Sequence, residues 1–343
     1  MRFVIAKPQN KMSNGDLFYT IPKDLVNCKE FEQIIDLCRN RAKIELNNQI
    51  RKQLENEIEA IINTHNESAI CIIKAITDYS RELGYPVTLF GEEAGTAIMY
   101  LIGASNVHPK QINYSSFSSE YFINKLNNNE ASYTLAIAKP IRAKLQSMLN
   151  NKFAHIESNN EIYKRVDLPD FDSLEHIKKL FDLTKVNCFE QKHYNNAIST
   201  LYIDIFKDMF GKDYIPNSKI TLDDLSKLYA YSMCSHNHDK CISYFSDLSK
   251  YLFRDNFYDI FTELGIDNEK AIFLSYRGIW KSDKTGNIKY LEKRNASPNC
   301  LSCFKEFTNI WSKATCMSRI NIMLALKWYE IHYLEEYGEV IKE

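Results

Sequence analysis

The chain lacks a long apolar run. No window of its 343 residues approaches the ~18 consecutive apolar residues of a membrane-spanning helix, so no membrane partner is expected. The opening MRFVIAKPQNK holds too short an apolar stretch for a secretory signal. An excess of one charge is lacking too: 43 Lys plus Arg against 44 Asp plus Glu leave −1. Nothing in that balance pulls the whole molecule toward nucleic acid or anionic lipid, and any DNA contact would rest on local basic patches. There is no internal repeat and no long low-complexity segment. A disulfide framework is missing as well, because nine scattered cysteines, an odd number, read as reduced thiols of a cytoplasmic protein.

What is present is a globular composition, 45% hydrophobic and 25% charged, long enough for one large domain or two ordinary ones. Apolar residues recur at helical spacing over 30–64 (Ile34, Leu37, Ile44, Ile50, Leu54, Ile58, Ile61) with charges between them. A further helix is predicted over 66–83, stopping at Gly84, then a strand at Tyr85–Leu89 and an apolar helix at Thr96–Ile102. The Ser- and Asn-rich stretch 111–132 is expected to contain a loop or exposed turn, and 281–299 reads as a polar connector. Helices are expected at 137–149, 174–182, 194–211, 222–232, 242–249, 255–264, 268–276 and 316–336. The fold class is α+β, mostly helical with a small sheet.

Four stretches carry candidate chemistry. LFGEEAG, Leu89 to Gly95, has the strand–glycine–helix shape that often cradles phosphate. Such turns offer backbone N–H groups and usually a Lys or Arg, whereas Phe90, Glu92 and Glu93 offer the opposite, so taken alone this is a structural turn. PDFD places Asp170 and Asp172 in strand-like alternation, a spacing that suits a pair of divalent metals; read plainly, it is an acidic lead into the following helix. Cys234, His236, His238 and Cys241 are zinc-ligand types, but their spacing matches no common module and a closed site in so short a span is cramped. Cys300 and Cys303 form an isolated CxxC. Near the C-terminus Lys313, Arg319 and Lys327 lie among Trp311, Trp328 and Tyr329, a mixture that grips nucleic acid or simply packs a core. Arg277, Lys281 and Lys284 are phosphate-contact candidates in a loop-like setting.

The order of these pieces, from about residue 15 to 337, resembles the thumb, palm and fingers of the bacterial PolC-type DNA polymerase III alpha subunit. LFYTIPKDL, EFEQIIDLCRNRAK and RKQLENEIEAII are similar to the segment leading into that palm. The glycine turn falls on the family's nucleotide-phosphate turn, keeping Tyr85, Val87, Gly91, Val107 and Pro109 but placing Phe90 on its Arg and Glu92 on its Ser. FSSEY, Phe117 to Tyr121, resembles the tail of the first metal motif, which puts Ile112 and Tyr114 on its two aspartates. SYTLAIAKPIRAK, with Lys139, Arg142 and Lys144, resembles the next palm motif, and FDSLEHIKKLFDLTK places Asp172 at the third aspartate. WSKATCMSRINIMLALKWYEIHY resembles a fingers helix, with Thr315 on the family's His. A competing alignment makes Asp170 and Asp172 the metal pair, with Asp204 as a third.

The resemblance implies a thumb-like region at 1–84, a reduced palm at 85–185 and helical fingers at 186–343. It implies a pseudoenzyme that needs no cofactor and binds a replication protein, DNA or a polymerase inhibitor, with Mg2+ required only if activity survives. The nucleic-acid contacts would fall on Lys139, Arg142, Lys144, Arg277, Lys281, Lys284, Lys313 and Arg319. An active minimal nucleotidyltransferase and a structural protein with no nucleic-acid role are the alternatives.

Overall fold

The computed structural model describes residues 17–22, 28–128, 132–141, 144–145, 147–148, 163–168, 171–188, 221–234, 253–276, 284–306 and 310–342. Four strands lie in one sheet: β1 (Leu17–Pro22), β2 (Thr88–Phe90), β3 (Ser132–Ala136) and β4 (Tyr163–Leu168). Their order is β1-β4-β3-β2, with the central β3–β4 pair parallel and both outer pairs antiparallel. The register aligns Phe90 with Thr134, Thr134 with Asp167, and Asp167 with Phe18. One row thus runs across all four strands.

The helical region over 30–64 is two helices. α1 (Cys28–Glu45) and α2 (Asn48–Asn63) break at Asn47, whose side-chain oxygen accepts from the Ile50 N–H at 2.9 Å, an ordinary cap for the first turn. α3 (Glu67–Glu82) is buried nearly all round, through Ala69, Ile70, Ile72, Ile73 and Ile76, so it forms the axis of the first core. It ends at Gly84, which adopts φ 78°, a left-handed value that suits glycine. α4 (Ala97–Leu101) is shorter than its apolar run suggested, and α5 (Phe117–Asn127) fills much of the segment expected to contain a loop or exposed turn. Phe117, Tyr121, Phe122 and Leu126 are buried there at helical spacing, which outweighs the flanking Ser and Asn.

After β4 come α6 (Asp172–Thr184), α7 (Leu222–Cys234), α8 (Arg254–Glu263) and α9 (Asn268–Tyr276). Then follow α10 (Lys284–Lys293), α11 (Pro298–Glu306), α12 (Lys313–His332) and α13 (Leu334–Lys342). The expected polar connector at 281–299 is corrected: α10 and the start of α11 occupy it. Its sparse apolar positions, with Leu291, Ala296 and Cys300 buried, are enough to seat two short helices against the second core, while Lys289, Glu292 and Lys293 remain the solvated face. The helices expected at 194–211 and 242–249 lie outside the described residues.

Two apolar cores result. The first gathers α1 to α4, the sheet, α6 and much of α12. The second gathers Phe253, Phe257, Phe261 and Phe304 with Phe117 and Tyr121 of α5 and Cys316 of α12. α5 and α12 therefore serve both cores, and the junction between them lies beside the β2 turn.

Candidate functional site

β2 ends at Phe90, and Gly91 turns the chain at φ 100°. A Cβ at Gly91 would sit 2.7 Å from Glu93 Oε2, so both the dihedral and the close approach call for glycine. Glu92 to Gly95 make one 3-10 turn, with Glu92 and Glu93 buried to 5% and 3% exposure. Buried carboxylates are expensive without partners, and each has one from a distant element. Arg254 of α8 donates to Glu92, and Lys125 of α5 donates to Glu93. The Lys125 ammonium also donates to the Ser132 carbonyl at 2.7 Å, and the Arg254 guanidinium lies 4.4 Å from the Tyr276 ring centre. The acid in this turn is thus matched by cations brought from α5 and α8.

Amides in the turn and at the start of α4 are engaged as well. Ala94 donates to the Gly91 carbonyl at 3.2 Å and Thr96 to the Glu93 carbonyl at 3.1 Å. Ala97 and Ile98, at the start of α4, donate to the two carboxylate oxygens of Glu57 at 3.2 and 2.9 Å. Met99 donates to Thr96 Oγ1 at 3.4 Å. Glu57 projects from α2 and is fully buried. Burial pushes its carboxyl up to about 7, while the Ile98 amide, the Ser119 hydroxyl and the Ala97 amide pull the other way. Burial likewise raises Glu93, against the pull of Lys125. Burial lowers Lys125 in turn, but Glu93 beside it outweighs that and holds the ammonium above its ordinary value. Burial, then Glu92 and Glu93, keep the Tyr121 phenol protonated far above the usual range.

A cavity of about 440 Å3 opens beside this turn. Glu92, Glu93 and Lys125 form one side, the aromatic rings of Phe90, Phe171, Tyr121 and Tyr276 form walls, and Ser132, Thr134 and Arg319 complete it. Phe90 and Phe171 meet edge to face at 5.3 Å between centroids. Arg319 of α12 sits over Phe90 at 4.4 Å and within 5.4 Å of the Trp311 ring centre.

The positions singled out in the sequence scatter. Ile112 is buried in the first core. Tyr114 follows at φ 55° and packs against that core. Neither lines the cavity, and an isoleucine supplies no oxygen for magnesium, so this pair does not fit a metal. Asp172 is exposed at the first residue of α6, after β4 has ended at Leu168, so it stands at a helix start rather than on a strand. Asp170 and Asp204 lie outside the described residues. Among the described residues no group of three or more His, Cys, Asp or Glu is placed to hold a metal ion.

Sequence reading passed over Asp167, which the β4 register sets opposite the cavity residue Thr134. The alternation of KRVDL just before PDFD was the available signal.

Among the basic candidates, Lys313 is buried and pairs with Asp223 at 2.5 Å, while Lys139 and Lys144 are exposed. Arg142, Arg277 and Lys281 lie outside the described residues; Lys284 is the first residue of α10. Thr315 exchanges a hydrogen bond with Ser312 at 2.8 Å in the cap of α12. Cys234 ends α7, and His236, His238 and Cys241 lie outside the described residues. Cys300 and Cys303 are buried in the second core, with the Cys300 thiol pushed up to about 11 by burial.

Residues 30–187 match the model of the bacterial DNA polymerase III alpha NTPase domain. That span is a little under half of the chain, from α1 through α6, and it contains the turn, Glu57 and most of the cavity wall. The segment resembles that polymerase domain. No curated protein matches the chain. Among the described residues no helix is long and apolar enough to cross a membrane.

Proposed function

We propose that this chain is a catalytically silent copy of a polymerase III alpha core, acting by binding DNA or a replication protein. One observation supports silence above the others. At the turn where the resemblance expects a nucleotide's phosphates, the chain supplies its own anions: Glu57 takes the Ala97 and Ile98 amides. Glu93 and Glu92 then take up Lys125 and Arg254, the cations beside the turn. A triphosphate entering here would meet three buried carboxyl groups and displace hydrogen bonds already made. The resemblance of residues 30–187 to a replicative polymerase domain supports the choice of DNA or a replication protein as partner.

The reading is tested by primer extension with Mg2+ or Mn2+ and by DNA binding across salt. The expected result is no extension above background, with binding that weakens as salt rises because phosphate contacts release counterions. Salt-independent binding, or none, would argue against the DNA partner; affinity capture of a replication polypeptide would then identify the protein partner.

The second reading, an active nucleotidyltransferase, is favoured by Asp167 standing in register with Thr134 at the cavity. Extension that is lost in Asp167→Ala but kept in Asp172→Ala would establish it.

A further inference from the structure

The cavity lining carries two carboxylates, Glu92 and Glu93, and two cations, Lys125 and Arg319. Glu92 is committed to Arg254 and Glu93 to Lys125, which leaves Arg319. Among the described residues no carboxylate pairs with Arg319; its Nε is buried without a hydrogen-bond partner, and the Tyr229 phenol is the polar side chain bonded to it. The guanidinium is also surrounded by rings, with Phe90 at 4.4 Å, Trp311 at 5.4 Å and Phe171 at 5.8 Å. Stacked guanidinium groups keep their in-plane donors free for a planar acceptor.

The rest of the wall selects the shape of what could enter. Tyr121 and Tyr276 face each other at 4.9 Å between centroids, and both line the cavity with Phe90 and Phe171. Ser132 and Thr134 offer hydroxyls from β3. An aromatic, half-open space of about 440 Å3 with Arg319 in its wall matches the usual small-molecule site, apolar walls with a few convergent polar groups.

We propose that this cavity binds a small planar monocarboxylate, an aromatic acid, whose carboxylate meets the Arg319 guanidinium and whose ring lies among the aromatic walls. A single negative charge suits Arg319, with which no carboxylate pairs among the described residues. A polyphosphate brings several charges against Glu92 and Glu93 and is disfavoured in the same space. The proposal rests on the reading that no nucleotide occupies the turn, and it goes beyond that reading by naming a ligand class.

The test is calorimetric titration of the full chain with benzoate. Benzamidine, the same ring with a cation, and dATP with Mg2+ serve as comparators. The expected result is saturable benzoate binding with a dissociation constant at or below about 1 mM, and benzamidine weaker by about tenfold or more. Arg319→Met is expected to remove benzoate binding. Should that variant fail to fold, Thr134→Phe, which fills the wall, is expected to do the same. The proposal is overturned if benzoate gives no binding up to about 10 mM, if benzamidine binds as well, or if the folded variants keep the wild-type affinity. Tight dATP binding instead would sink the silent-polymerase reading, whereas failure of benzoate alone would leave that reading standing.

Discussion

Single residues at the turn carry unequal energetic weight. Gly95 has no room for a side chain: an added Cβ would lie 2.8 Å from the Ser118 Cβ and 2.9 Å from the Ala314 Cβ. It is where the 3-10 turn, α5 and α12 come closest. Gly95→Ala is therefore expected to lower stability by about 1–3 kcal/mol through overpacking, read as a shift of the urea midpoint with an unchanged slope. Glu92 and Arg254 pose a different problem, because both are nearly buried. Glu92→Gln removes one charge and strands the other, and about 3–5 kcal/mol of destabilisation is expected. Replacing both, Glu92→Leu with Arg254→Met, is expected to recover much of that loss. A double variant no more stable than the worse single would show that the pair is not the coupling between α8 and the turn.

At the scale of elements, Glu57 ties α2 to α4 and, through Ser119, to α5. Its folded pKa of about 7 lies above the ordinary carboxyl value of 4.5. The folded state therefore holds a proton that the unfolded chain releases between those values, and the Glu57 contribution to stability falls as pH rises from about 4.5 to 7. Asp255, raised by burial to about 6, acts in the same direction. His108, lowered by burial, acts in the opposite one. The comparison that isolates Glu57 is the difference between the wild type and Glu57→Gln. The wild type is expected to lose of order 3 kcal/mol more than the variant across that window, measured by urea unfolding at several pH values. Parallel stability profiles for the two proteins would mean that Glu57 does not titrate there.

The elements also show what was legible in the sequence. α1, α2, α3 and α9 could be read from apolar spacing, because their buried faces repeat over several turns. α5, α10 and α11 could not: they are short, and their buried residues sit in segments rich in Ser, Asn and Lys. The glycine turn was legible as a turn, yet its electrostatics were not. Lys125 and Arg254 stand 32 and 162 residues from the glutamates they neutralise, and Glu57 stands 40 residues from the amide of Ala97. Such long-range partners leave no local pattern. Arg319 was legible as a basic residue among aromatic ones, but its place in the cavity depends on α12 packing along β2, where Ser318 Oγ donates to the Leu89 carbonyl at 2.8 Å.

On the scale of the whole molecule, two cores meet at the turn, and the ion pairs that close it come from both sides of that junction. Lys125 approaches from α5, shared by the two cores, and Arg254 from α8 in the second. The glycine turn is thereby a seam of the protein, held by its own carboxylates and their cationic partners. The most direct measurement is equilibrium titration of the intact chain with a fluorescent deoxynucleoside triphosphate and Mg2+. The account predicts no saturable binding below about 1 mM; micromolar binding that unlabelled nucleotide competes away would contradict it.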